Sequence, residues 1–243
     1  MKVSCVCCTY GRFTVLERSI ACWVQQDCLD KELIIFNTAP TPLELDDSLQ
    51  DQNIRLHNQP SNYSSLGEIR EASLKLATGD VYICWDDDDL YLPWHIEQGM
   101  TRKKAWGKPA WMPKLSYYSS DGGKTYTKEQ NFMEASVLVD IDLVRRYGFS
   151  YSSGLEHLPW RTRIETERKL VIEDVDPSES YAYVWGDKLA PHKTSGDVRN
   201  QNNFENHKSG STDFGERPLR AWDWTRVQWY FNNIERCFPK PTV

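Results

Sequence analysis

The chain of 243 residues predicts an α/β fold with a mixed, mainly parallel sheet flanked by helices, on three observations. Short, continuously apolar runs recur at residues 3–9, 31–38 and 81–85, the pattern of strands buried on both faces. Segments with helical spacing of apolar residues lie between them, so the connections read as right-handed crossovers joining parallel strands. Each run ends in polar residues, as expected at the carboxyl edge where open α/β sheets gather ligands.

In chain order, residues 3–9 form a strand that ends in the Gly-containing loop Tyr10-Gly11-Arg12. Over 13–26, Val15, Leu16, Ile20, Trp23 and Val24 recur at helical spacing. The strand at 31–38 is stopped by a loop containing Pro40 and Pro42, and 54–57 reads as a short edge strand. A helix over 66–77 carries Ile69, Ala72, Leu74 and Leu76, with Gly79 as its stop signal, and the strand 81–85 follows at once. Further on, 94–104 reads as a helix and 111–118 as a strand, turning at Asp121-Gly122-Gly123 into a partner at 125–128. A strand at 135–139 precedes a short helix at 140–147 that ends at Gly148; 155–169 is helix-like, with Pro159 in its first turn. From 188 onward Asn, Gly, Ser and charge predict a long loop that orders around ligand. Residues 219–234, with Trp222, Trp224, Trp229, Tyr230 and Phe231, read as a closing helix.

A formal charge of −6 argues against indiscriminate nucleic-acid binding. The charge is uneven: residues 1–100 carry 7 basic and 16 acidic side chains, and the remainder 22 and 19. An acidic half followed by a mildly basic one suits a metal-dependent donor site beside a surface for a different acceptor. The seven cysteines are odd in number and mostly lie inside apolar patterns, which predicts a reducing compartment with thiols as small core residues. There is no run of about 18 apolar residues, and Met1 to Ser4 lead directly into a strand without a signal-peptide pattern. The expectation is a cytoplasmic protein, in the host cytoplasm if virus-encoded, with no membrane insertion.

The run at 81–85 delivers four consecutive aspartates, Asp86 to Asp89. Two carboxylates about 4 Å apart repel by roughly 4 kcal/mol at an effective dielectric near 20, so such a cluster calls for a cation. Hard divalent ions with oxygen ligands, Mn²⁺ or Mg²⁺, fit it, and they commonly share their remaining positions with substrate phosphates. An acidic cluster also serves simply to cap a helix or to face solvent, although here it follows a strand directly.

Three segments then resemble glycosyltransferase family 2. Val3 to Arg12 is similar to the family's opening strand with its Thr-Tyr/Phe-Asn-Arg end, Arg70 to Asp80 resembles its Arg-Asn helix and Ala-x-Gly turn, and Trp85 to Asp89 matches its Asp-x-Asp-Asp signature. The resemblance covers about the first hundred residues. It implies a GT-A type, Rossmann-like fold with a C-terminal acceptor-side extension, in which residues 1–100 bind the nucleotide sugar and 101–243 bind the acceptor with a closing loop and helix. Carried over residue by residue, it implies that Thr9, Tyr10 and Arg12 border the nucleoside and that Arg70 approaches the base or diphosphate. Asp86 and Asp87 lie by the donor, Asp86 touching the ribose or the metal's water shell, and Asp88 ligates the metal. Gly11 departs from the usual Asn, and Asn37 stands where the family generally has an Asp that reads the base; uridine remains the first expectation. Glu156-His157 falls at the family's Glu-Asp pair, whose second residue is commonly the catalytic base. Glu156 is favoured over His157, because a carboxylate is ready to accept a proton at neutral pH. The late segment with His192 and Lys193 resembles a His-x-Ser-Gly stretch in which His192 touches metal and Lys193 the diphosphate.

The implied reaction is an inverting, metal-dependent hexosyl transfer from a UDP-sugar to an acceptor hydroxyl, with Lys193 or Arg199 aiding a closing loop. The ten tryptophans are mostly core by type, though exposed ones stack on sugars or bases. The acceptor is a glycan, a protein side chain or a hydroxylated DNA base. A metal-dependent nucleotidyltransferase is the rival enzyme, but Tyr10-Gly11-Arg12-Phe13 is a poor triphosphate loop; a non-catalytic sugar- or nucleotide-binding module is the other alternative.

Overall fold

A computed structural model of the chain describes residues 1–10, 13–60, 63–174 and 180–184. Its first part follows the sequence closely: β1 (Val3–Thr9), α1 (Phe13–Val24), β2 (Lys31–Asn37), β3 (Ile54–Asn58), α2 (Leu66–Leu74) and β4 (Val81–Cys84). The alternation inside the strands explains their unbroken hydrophobicity. Val3, Cys5 and Cys7 of β1, Leu33 and Ile35 of β2, and Val81 and Ile83 of β4 pack on one face with Leu16, Ile20 and Trp23 of α1. Val6 and Cys8, Ile34 and Phe36, and Tyr82 and Cys84 pack on the other face against Ile69 and Leu74 of α2. A sheet covered on both sides needs apolar residues at every position, not every second one. None of the six described cysteines forms a disulfide, and all are buried in this core.

The remaining elements are β5 (Leu90–Tyr91), α3 (His95–Trp106), β6 (Ala110–Pro113), β7 (Leu115–Ser119), β8 (Thr127–Gln130), β9 (Leu138–Asp140), α4 (Ile141–Tyr147), α5 (Leu158–Thr166), β10 (Leu170–Glu173) and β11 (Tyr181–Val184). They build two sheets. The larger has the order β10-β6-β9-β4-β1-β2-β3, and the smaller β5-β11-β7-β8. In the larger sheet β1 pairs in parallel with β2 and β4, while β9 runs antiparallel to both β4 and β6. The expected mixed, mainly parallel sheet is thus present, and β9 is what makes it mixed. The order β4-β1-β2 sets the ends of β1 and β2 side by side, with Thr9 opposite Asn37.

Four expectations change. The single strand at 111–118 is two strands in different sheets. Pro113 closes β6 without an amide to donate, and Lys114 bridges the sheets, its N–H donating to the Glu173 carbonyl and its own carbonyl accepting from Asn131 N. The strand expected at 135–139 is a 3₁₀ turn, Glu134–Ser136, followed by β9. The helix expected to reach 77 ends at Leu74, where Ser73 Oγ turns back onto the Arg70 carbonyl at 3.0 Å and the last amides bond three residues back. The helix-like stretch 155–169 is helical only over α5. Among the described residues no helix is long and apolar enough to cross a membrane. The expected late loop and the helix at 219–234 lie outside the described residues.

Candidate functional site

The acidic loop is held by contacts that treat its four aspartates differently. Tyr91 stacks on Trp85 with ring centroids 3.7 Å apart. Its hydroxyl donates to the Cys84 carbonyl at 3.0 Å and accepts from Asp86 N at 2.8 Å, closing the loop at the point where β4 ends. Asp87 is fully buried and accepts from Thr9 Oγ1 at 2.7 Å, which ties the end of β1 to the acidic loop. Asp89 accepts from Val184 N at 3.0 Å and from the Tyr181 hydroxyl, so it anchors β11. Asp86 is the most open of the four, and its Oδ1 accepts from Arg70 Nη2 at 2.9 Å. Arg18 donates to the Asp88 carbonyl at 2.6 Å and leaves the Asp88 carboxylate to other interactions.

Burial first, then the charges of Asp88 and Asp86, push the Asp89 carboxyl well above the usual carboxylate range. This donor set, all hard carboxylate oxygen at a strand end, fits Mn²⁺ or Mg²⁺.

Arg70 sits where helix α2 faces the strand ends, with only 4 % of its surface exposed. Besides Asp86, its Nε donates to Glu156 Oε1 at 3.0 Å, and Nη1 lies against Cys84 Sγ. Burial alone would lower its pKa, but Cys84, Asp86 and Glu156 outweigh that and raise it, so the guanidinium stays charged. Glu156, at least as buried, receives Gly154 N on its other oxygen at 3.0 Å. The loop carrying Glu156 docks on the first turn of α2, where Gly67 N donates to the Ser152 carbonyl at 3.1 Å. A methyl group on Gly67 would lie 1.7 Å from the Ser150 carbonyl oxygen, so the approach requires glycine.

His157, next to Glu156, turns the other way. Its Nδ1 lies 3.1 Å from Glu134 Oε1, in an ion-pair contact that is not aligned as a hydrogen bond. Burial lowers the His157 pKa, but Glu134 raises it further, leaving it above the ordinary histidine value; Glu134 is correspondingly lowered by the imidazole despite its own burial. Glu134, Glu156 and His157 bring ligand atoms within 4.8 Å of one another. Among the described residues, the cations facing them are Arg70, which Asp86 also engages, and His157 itself when protonated.

Of the residues predicted from sequence, Thr9, Arg70, Asp86, Asp87, Asp88 and Glu156 form one connected corner. Asn37 stands at the same edge, fully buried, with its amide holding the following loop: Nδ2 donates to the Thr41 carbonyl at 3.0 Å and to Asn58 Oδ1 at 2.9 Å, while Oδ1 accepts from Ala39 N at 3.1 Å. Tyr10 is half-buried just beyond β1. Arg12, His192, Lys193 and Arg199 lie outside the described residues. Sequence reasoning missed Tyr91 and Glu134; no spacing points to either, since one acts through its hydroxyl on a backbone and the other meets His157 across 23 positions.

Residues 4–169 match the model of Glycosyl transferase family 2. An uncharacterized glycosyltransferase of Bacillus subtilis, YwdF, is 32 % identical over 99 residues, which is 40 % of this chain and 37 % of that protein. Among solved structures, S. aureus TarS 1–349 in complex with UDP-GlcNAc superposes with a TM-score of 0.59 at 14 % identity, over 75 % of this chain and 58 % of that one. The mannosyltransferase PcManGT from Pyrobaculum calidifontis, in complex with GDP-Man and Mn²⁺, gives a TM-score of 0.57 at 12 % identity, over 77 % and 58 %. At such identities the likeness concerns the fold, which is the GT-A fold, and the chain spans well under two thirds of these relatives' lengths.

Proposed function

The chain belongs to glycosyltransferase family 2, and on that premise we propose that it is a metal-dependent, inverting transferase that moves a hexose from a UDP-sugar to an acceptor hydroxyl. The observation that carries this reading is the guanidinium of Arg70, which joins Asp86 of the acidic loop to Glu156 of the acceptor-side loop. One buried cation thereby fixes the donor corner relative to the residue next to the base.

Thr9, Tyr10 and Asn37 border the nucleoside, the first by orienting Asp87 and the last by shaping the loop after β2. Arg12 and Lys193 remain proposed donor contacts and His192 a proposed metal ligand. Asp88, with Asp86, would hold Mn²⁺ or Mg²⁺; when bound, the ion supplies positive charge against that developing on the leaving diphosphate. Both oxygens of Glu156 already receive hydrogen bonds from the protein, one of them from a guanidinium, which suits it to holding Arg70. His157 is therefore the base. It takes the proton of the acceptor hydroxyl as that oxygen bonds to the anomeric carbon, and the electron pair of the broken bond leaves with the nucleotide.

The test is a panel of UDP-glucose, UDP-N-acetylglucosamine and GDP-mannose with Mn²⁺ or Mg²⁺, against an oligosaccharide, a hydroxyl-bearing peptide and DNA containing a hydroxymethylated base. Release of nucleotide diphosphate that a chelator abolishes supports the proposal. Pyrophosphate release from a nucleoside triphosphate would turn the reading to nucleotidyl transfer, and donor binding without turnover to a binding module.

A further inference from the structure

We propose that Glu134 is the positioning carboxylate of a Glu134–His157 pair, which turns an imidazole into the base of this site. The inference deepens the sugar-transfer reading and rests on it. Its geometry comes from two elements far apart in sequence. Glu134 opens the 3₁₀ turn that leads into β9, and His157 precedes α5 as its N-terminal flanking residue. Nδ1 of His157 is buried and faces Glu134 Oε1 at 3.1 Å, while the side chain as a whole keeps 15 % exposure. The open part of the ring thus lies away from Nδ1, and Nε2 is the nitrogen left to meet an acceptor.

The charged groups facing the ring are few. Glu134 comes from the 3₁₀ turn, Glu156 from the loop of His157 itself, and Arg70 from α2, with the Cys84 thiol of β4 against Arg70. Glu156 is engaged by Arg70, so Glu134 is the carboxylate that responds to the ring. A carboxylate on Nδ1 does two things for a base. Its charge favours the proton on Nδ1, which leaves the lone pair at Nε2, and it stabilises the imidazolium once the acceptor proton has been taken. Burial by itself would make His157 a poor base, and Glu134 reverses that. The proton balance is closed: it moves from the acceptor oxygen to Nε2, and from there to solvent after the product leaves.

The experiment has two arms on the full chain. In the first, histidine-labelled protein is titrated by NMR; there are five histidines, and His157 is assigned by its loss in His157→Asn. The imidazole should titrate above its ordinary value in the wild type, and Glu134→Gln should lower it by about one pH unit or more. In the second arm, UDP release from UDP-glucose and UDP-N-acetylglucosamine, with water as acceptor, is followed against pH. The acid limb of the wild type should move down in Glu134→Gln by the same amount as the NMR titration. The plateau rate should fall about tenfold with the donor KM unchanged, a modest part of the 10²–10⁴-fold worth of a general base. A merely structural glutamate would not carry the limb to lower pH. Should Glu134→Gln not fold, His157→Asp supplies the reading: its acid limb should drop to the carboxylate range. An active wild type whose limb is unmoved by Glu134→Gln, or by His157→Asp, overturns the pair alone. A wild type inert toward every donor overturns the sugar-transfer reading, and the catalytic use of the pair with it.

Discussion

Replacing Arg70 by Met tests the corner that joins the two halves of the site. Its guanidinium faces two carboxylates, and they differ in environment: the Glu156 side chain is 3 % exposed and the Asp86 side chain 24 %. Removing one partner of a buried pair costs about 3–5 kcal/mol, because the other charge is left without compensation. The half-open contact with Asp86 adds no more than about 1 kcal/mol. The expected loss of roughly 4–5 kcal/mol is a large part of the 5–15 kcal/mol that holds a typical domain together. In urea, with a slope near 3 kcal/mol/M for a chain of this size, the midpoint should fall by about 1.5 M. Arg70→Met/Glu156→Gln should recover about 2 kcal/mol of that, since a neutral amide still accepts from Gly154 N and no longer strands a charge. A midpoint within about 0.3 M of the wild type, or a double variant that is simply the sum of the single ones, would refute the pairing as an energetic unit.

Three further outcomes are expected. Asp88→Asn should abolish metal-supported UDP release, by more than the roughly 10–100-fold lost when a ligand's supporting partner is changed, with an unchanged circular dichroism spectrum; near-normal activity would remove Asp88 from the ligand set. Gly67→Ala should push the Ser150–Glu156 loop away, lowering stability by about 1–3 kcal/mol in thermal melts and turnover with it; unaltered melting would show that the loop yields freely. His95 is fully buried with Nδ1 2.9 Å from Ser180 Oγ, and burial lowers its pKa to about 3. The unfolded chain binds a proton there below about pH 6.5 and the folded one does not, so this group's stability is present above that pH and lost as pH falls toward the folded value. Compared with His95→Gln, the wild type should lose about 2 kcal/mol between pH 7 and 5 in urea titrations; parallel profiles would contradict it.

The parallel core of the large sheet, β1, β2 and β4, was legible because its strands are buried on both faces: the runs holding Val3 to Thr9 and Val81 to Cys84 need no partner to be recognised. Of the small sheet, only the β7–β8 hairpin around Asp121-Gly122-Gly123 was. Strand β5 is two residues long, too short for any periodicity, and β11 pairs with it and with β7 across long stretches of chain. Only Pro113, in retrospect, marks where one apolar run changes sheets.

The site was legible in position but not in the division of its labour. Asp86, Asp87, Asp88 and Asp89 are chemically identical and adjacent, so nothing local distinguishes them. Their roles come from what reaches them: Arg70 from α2 to Asp86, Thr9 from β1 to Asp87, Tyr181 and Val184 of β11 to Asp89. The same holds one layer away for Glu156 and His157. Neighbouring side chains near a helix start point in different directions, and here one meets a buried guanidinium while the other meets a carboxylate. Reading the pair as a string favours the carboxylate as base, since it is ionised at neutral pH. In the proposed reading the partners reverse the choice: Glu156 accepts hydrogen bonds on both oxygens and holds Arg70, whereas an imidazole backed by Glu134 gains basicity and keeps one nitrogen outward. On that reading, reactivity at this site is decided by the partners that the fold brings from α2 and the turn before β9.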